Sequence, residues 1–107
     1  MEAALRAIAE PRRRRILELV AGDELAAGEI AEHFEVTRPA ISQHLTVLRD
    51  AGLVTERRDG QRRLYRARPE GLLEIRGFLD QFWAEGLGRL KEAAEREERR
   101  KRRARHS

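Results

Sequence analysis

The fold class that this sequence predicts is mainly α with one small β-hairpin. Three observations predict it. Apolar residues recur at helical spacing through the first 50 residues, and helical spacing returns after Pro69. Between them, a single Asp59-Gly60 pair sits inside a segment, Leu53 to Arg68, that carries Val, Thr, Leu and Tyr in short runs. Periods of 3.6 and of 2 are the primary signals of helix and strand, and Asp-Gly between two extended runs is a strong hairpin signal.

Each element has its own justification. Leu5 and Ile8 give the first helix an apolar face. Pro11 suits the first turn of a second helix, where its missing N–H costs nothing; Ile16, Leu17 and Val20 line that helix and Gly22 ends it. A third helix is expected from about residue 26 to 34, with Ile30, Ala31 and Phe34 inward and Gly28 weakening its middle. Glu35, Val36 and Thr37 form a tight connection. Thr37 is a good N-cap, because its hydroxyl can accept from a backbone N–H that has no helical partner. Pro39 falls in the first turn of a fourth helix marked by Ile41, Leu45 and Leu48, and Gly52 can cap its end in the left-handed conformation.

After the hairpin, Leu72, Ile75, Leu79 and Phe82 alternate by three and four, and Trp83, Leu87, Leu90 and Ala94 continue on a neighbouring stripe. This is a long amphipathic helix that Gly86 and Gly88 can bend or weaken. A domain over residues 1–95 and a basic, disordered tail over 96–107 are expected. Two helices joined by a three-residue turn and followed by a basic hairpin describe a winged helix-turn-helix.

The chain has 107 residues, enough for one core and too few for two. Charged residues make up 39% of it, and their distribution says more than the net charge of +4. Residues 1–37 and 69–95 each carry a net −3, whereas 38–68 and 96–107 each carry +5. Localised basic charge is the electrostatic footprint of a nucleic-acid binder. The absence of cysteine excludes disulfides and thiolate metal sites. No apolar run approaches the ~20 residues that span a bilayer, and residues 1–9 lack the pattern of a signal peptide. A cytoplasmic protein without a membrane partner is expected.

On the fourth helix the outward positions are Arg38, Ser42, Gln43, Thr46 and Arg49. These are short or forked hydrogen-bonding side chains, unlike an ordinary Glu/Lys solvated face. Reading base edges in the major groove needs such groups: arginine pairs with guanine, glutamine with adenine, serine or threonine with base or phosphate. The N-terminal residues of a recognition helix contact the base edges, so Arg38, Ser42 and Gln43 are the base-reading candidates. Thr37, His44, Thr46 and Arg49 are candidates for backbone contacts, and Arg58, Arg62 and Arg63 at the hairpin for a wing that grips phosphates or enters the minor groove. The competing reading of the hairpin is a merely solvated turn.

The segments Ala9-Glu-Pro-Arg-Arg-Arg-Arg-Ile-Leu17, Thr37-Arg-Pro-Ala-Ile-Ser-Gln-His-Leu45 and Leu48-Arg-Asp-Ala-Gly-Leu-Val54, with the wing from Arg57 to Tyr65, resemble the ArsR family of winged-helix regulators, in a branch without metal-binding cysteines. The resemblance covers roughly residues 3–95. It implies a homodimeric repressor that leaves its operator when a small-molecule or protein inducer, of a kind the sequence does not name, arrives. It also implies dimerisation through long N- and C-terminal helices, here Leu5 and Ile8 with Leu72, Ile75, Leu79, Phe82, Trp83, Leu87 and Leu90. Many members sense metals through cysteines before the turn or His and carboxylates on the last helix. Neither ligand set is present here, so no metal and no cofactor is expected.

Other residues admit two readings. Arg12 to Arg15 are distributed around a helix, so they offer backbone contacts singly or ion pairs, not one patch. His33 and His44 lack the further ligands a metal needs. Phe78, Phe82 and Trp83 read as packing more readily than as a small-molecule pocket. No nucleophile–base pair and no phosphate loop is recognisable, so an enzyme is not expected. Two alternatives to a specific repressor stand beside it: a general architectural nucleic-acid-binding protein driven by the tail, and a winged-helix protein-interaction module.

Overall fold

The structure, a computed structural model, describes residues 1–106. Its elements in order are α1 (Glu2–Ile8), α2 (Pro11–Gly22), β1 (Leu25–Ala26), α3 (Ala27–Ala31), α4 (Arg38–Asp50), β2 (Val54–Asp59), β3 (Arg62–Ala67) and α5 (Pro69–His106). The chain divides into two compact units, residues 1–75 and the remainder from Arg76. The expected 1–95 domain thus spans all of the first unit and part of the second.

In the first unit, local chemistry sets the helix ends. The Glu10 carboxylate accepts from the Arg13 N–H at 3.0 Å and caps α2, with Pro11 directly behind it. Partial burial pushes the Glu10 carboxyl up, but the Arg13 backbone hydrogen bond, the electrostatic effect of His44, and the Arg12 backbone and charge together outweigh it and leave it below its ordinary range. Thr37 Oγ1 accepts from the Ala40 N–H at 3.3 Å and starts α4. Gly52, at φ +76°, ends it: the Gly52 N–H donates to Arg49 O at 3.0 Å and the Leu53 N–H to Leu48 O at 2.9 Å. That left-handed closure satisfies carbonyls that otherwise lack partners.

Helix α3 is shorter than the spacing suggested. It ends at Ala31: the Glu32 N–H still donates to Gly28 O, four residues back, but those of His33 and Phe34 reach back only three residues, to Ile30 O and Ala31 O. Phe34 still packs against the core. The core is built from Ile16 and Val20 of α2, Ile30 of α3, Ile41, Leu45 and Leu48 of α4, and Leu53, all with no exposed surface.

The hairpin forms as expected, with Asp59 paired to Arg62 across Gly60 and Gln61, and Gly60 at φ +65°. A third strand, β1, lies on the other side of β3, pairing Leu25 with Tyr65 and Ala26 with Leu64 in the order β1-β3-β2. Two residues are too few to carry an alternation signal, which is why the sequence did not reveal it.

Two of the four consecutive arginines have a structural task. Arg13 donates from Nε to Ala7 O at 2.6 Å and from Nη2 to Arg6 O at 3.1 Å, and Arg14 Nη1 donates to Ile8 O at 2.7 Å. These are carbonyls at the end of α1, a favourable place for cations.

The second unit consists of α5 beyond Ile75. Helix continues without interruption through Gly77, Gly86 and Gly88 and on through 96–106, where disorder was expected. The reason lies in residue type: Arg, Glu, Lys and Ala are strong helix formers, and Glu97–Arg100 and Glu98–Arg102 pair one turn apart. The last expected tail residue, 107, lies outside the described residues. Phe78, Leu79, Phe82, Trp83, Leu87 and Leu90 are 40–64% exposed. No helix among the described residues is long and apolar enough to cross a membrane.

Candidate nucleic-acid interface

Helix α4 separates its two faces cleanly. Ile41, Leu45 and Leu48 are buried, while Arg38, Ser42, Gln43, Thr46 and Arg49 are exposed together. Arg38 has no ion-pair partner among the described residues, and its guanidinium lies over α3. A β-carbon at Gly28 would stand 3.0 Å from Arg38 Nη2, so the glycine that weakened the helix reading makes room for this side chain. The Ser42 and Gln43 side chains make no hydrogen bond among the described residues. The Thr46 hydroxyl donates to Ser42 O at 3.0 Å. His44 is half-buried and turns toward α2, with Nδ1 3.5 Å from Arg13 Nη1. His33 is exposed in the turn, and no group of three or more metal-ligating side chains converges among the described residues.

Most of the remaining cations on this side are tethered. Arg49 Nη1 meets Glu56 Oε2 at 2.9 Å, and its Nη2 lies 3.5 Å from Asp50. Arg63 Nε approaches the other oxygen of Glu56 at 3.6 Å. Arg62 binds Glu29 at 2.5 Å, and Arg57 clasps Glu24 with Nε and Nη2 at 2.7–3.0 Å. Arg58 is exposed with no ion pair among the described residues. The Arg57 hydrogen bonds hold the Glu24 carboxyl below its ordinary range against partial burial, and Glu24 raises Arg57 in return. Glu56 does the same for Arg49. Burial, and then the nearby Glu56 charge, push the Tyr65 hydroxyl up. Between α3, α4 and the hairpin these groups frame an open, polar cleft of about 700 Å³, with Glu29, Arg38, Ser42, Arg49 and Arg62 on its walls.

The sequence reading found the cations and missed their carboxylates. Glu24 and Glu29 stand 33 residues from their arginines, and no local pattern reports a contact at that distance. On the expected dimer face, Leu5, Ile8 and Leu72 are partly buried against the first unit's core, and Ile75, at 5% exposure, belongs to that core. Leu79, Phe82, Trp83, Leu87 and Leu90 are open; Phe78 and Phe82 stack at 6.3 Å, and Phe82 and Trp83 meet edge-on at 6.4 Å.

Helices α3 and α4, joined by a short turn and followed by the basic hairpin of β2 and β3, form a winged helix-turn-helix. Residues 10–56 match the model of bacterial regulatory proteins of the arsR family. The chain is 46% identical over 86 residues to the HTH-type transcriptional regulator Rv2034 of Mycobacterium tuberculosis, spanning 80% of each chain. It is 44% identical over 61 residues to the transcriptional repressor SdpR of Bacillus subtilis, covering 57% of this chain and 68% of that one. Among solved structures, the crystal structure of a "possible transcriptional regulator for arsenical resistance" superposes with a TM-score of 0.71 at 49% identity, covering 75% of this chain and 83% of the other. The homodimeric winged helix-turn-helix DNA-binding domain of Mb0332 from Mycobacterium bovis, solved by NMR, gives 0.63 at 31% identity and 78% of both. The chain belongs to the arsR family of transcriptional regulators.

Proposed function

We propose that the chain is a sequence-specific repressor that binds a palindromic operator as a homodimer, with Arg38, Ser42 and Gln43 reading bases. The observation that carries this reading is the α4 face. Three side chains able to recognise base edges are exposed side by side near the helix N-terminus, and none is tied to a protein partner among the described residues. Thr37, Thr46, Arg49, Arg58, Arg62 and Arg63 supply phosphate contacts around them. His44, turned toward α2, supports the helix.

A homodimer is supported by the run of exposed large apolar residues on α5 from Phe78 to Leu90, which marks an interaction surface, and by the homodimeric Mb0332 domain. A two-fold dimer places half-sites about 10 bp, one helical turn, apart. The repressor SdpR supports repression as the outcome. The site of action is duplex operator DNA in the cytoplasm. A signal, small molecule or protein, that weakens the operator complex completes the reading.

The test is fluorescence anisotropy at two salt concentrations, using the duplex upstream of the protein's own gene and a shuffled duplex. The full chain and a form ending at Glu95 are compared. Preference for the upstream duplex that survives truncation supports the reading. Equal binding of both duplexes that vanishes with residues 96–107 replaces it with an architectural nucleic-acid binder driven by the basic end of α5. Absence of duplex binding leaves a protein-interaction module.

A further inference from the structure

The cations that flank the α4 reading face are already neutralised by carboxylates built into the same scaffold. Glu56 uses both oxygens, one on Arg49 at the end of α4 and one on Arg63 of β3, and its side chain is only 20% exposed. Glu29 is anchored differently: its Oε1 accepts the Ala26 N–H at the start of α3 at 3.0 Å and also meets Arg62. Glu29 is tied to backbone, and Glu56 stands on β2, so both carboxylates belong to the same rigid face as the arginines they meet. Arg38 and Arg58 carry no such partner among the described residues.

Exposed ion pairs of this kind are weak, so the arginines can still turn to phosphate. The carboxylates then face the same phosphates, and like charge opposes the approach. Phosphates are alike at every sequence, so the opposition is independent of sequence. It falls on the contacts that hold any duplex and spares the base contacts of Arg38, Ser42 and Gln43.

We infer that Glu56, with Glu29 in the same role at the wing, limits sequence-independent DNA affinity, so that tight binding depends on base contacts. This inference rests on the proposed reading of α4 and the hairpin as the DNA-binding face. It makes the two glutamates residues that set overall DNA affinity without touching a base. A different sign is expected if Glu56 instead positions Arg49 and Arg63 productively: its loss would then weaken binding.

The experiment titrates the full-length protein, Glu56→Gln, Glu56→Asp and Glu29→Gln against the upstream and shuffled duplexes over a range of salt, with thermal melts alongside. Glu56→Gln is expected to bind the shuffled duplex on the order of 3–10-fold tighter at low salt, with the log–log salt slope steeper by about one, the increment for one more phosphate neutralised. The upstream duplex is expected to tighten by a similar factor, so the preference stays level, because the opposed phosphate contacts are the same at every sequence. Glu56→Asp keeps the charge and is expected to behave like wild type. Unchanged or weaker binding of the shuffled duplex by Glu56→Gln overturns the inference, as does equal tightening by Glu56→Asp. If Glu56→Gln does not fold, Glu29→Gln decides by the same criteria. A wild-type protein that prefers the upstream duplex while the glutamine variants match it sinks this inference alone. A wild-type protein that binds no duplex sinks the DNA-binding reading and this inference together.

Discussion

Gly71, in the first turn of α5, lies directly against the backbone of Gly52, the residue that closes α4. A β-carbon at Gly71 would collide with the Gly52 carbonyl oxygen and stand 3.1 Å from its carbonyl carbon. The obstacle is backbone, and the Gly52 carbonyl is held further by Arg68 Nη1 at 3.2 Å. Overpacking where neighbours cannot move costs about 1–3 kcal/mol. Gly71→Ala is therefore expected to lower stability by that amount in urea unfolding, with an unchanged m-value. Gly77→Ala is the control: beyond its chain neighbours and its own helix backbone, no atom among the described residues stands within 4 Å of the added carbon, and alanine favours helix, so it is expected to be neutral or stabilising.

Thr37 starts the helix on which the proposed base-reading residues stand. Thr37→Ala removes the acceptor for the Ala40 N–H and is expected to cost about 1 kcal/mol, whereas Thr37→Ser is expected to be close to neutral. Chemical denaturation of both variants checks this.

The Glu24–Arg57 pair makes stability depend on pH. Glu24 has a folded-state carboxyl below its ordinary range, so its contribution is present above the unfolded-state value and disappears as pH falls through the folded one. Melting temperatures from pH 7 down to pH 3 should fall more steeply for the wild type than for Glu24→Gln, the two converging at the acid end. Parallel curves would remove Glu24 from the acid response.

Leu79 and Phe82 are 40% and 54% exposed on α5. With Leu79→Glu and Phe82→Glu combined, analytical ultracentrifugation is expected to show monomers, and operator affinity is expected to fall in parallel. Dimers that survive both substitutions would move the interface elsewhere.

Much of the fold was legible because its signals are local. The three- and four-residue spacing of Ile41, Leu45 and Leu48, the Thr37 cap and the turn at Gly60 each lie within a few residues of what they specify. What escaped is long-range. The two-residue β1 exists only because β3 offers it an edge, and Arg13 and Arg14 serve α1 through carbonyls six or seven residues back. Glu24 and Glu29 meet their arginines across the fold. Ile75 shares the apolar stripe of Leu79 and Phe82, yet it belongs to the first unit's core, a division that periodicity cannot show. Density of charge suggested disorder in 96–106, although the same residue types favour helix.

The central claim is that the exposed N-terminal face of α4 reads DNA sequence. Anisotropy titrations of Arg38→Ala and Gln43→Ala against the upstream and shuffled duplexes test it most directly. Each substitution is expected to cost about 1–3 kcal/mol on the upstream duplex, with the preference over the shuffled duplex reduced. If both variants bind both duplexes as the wild type does, α4 does not read sequence and the recognition assignment is wrong.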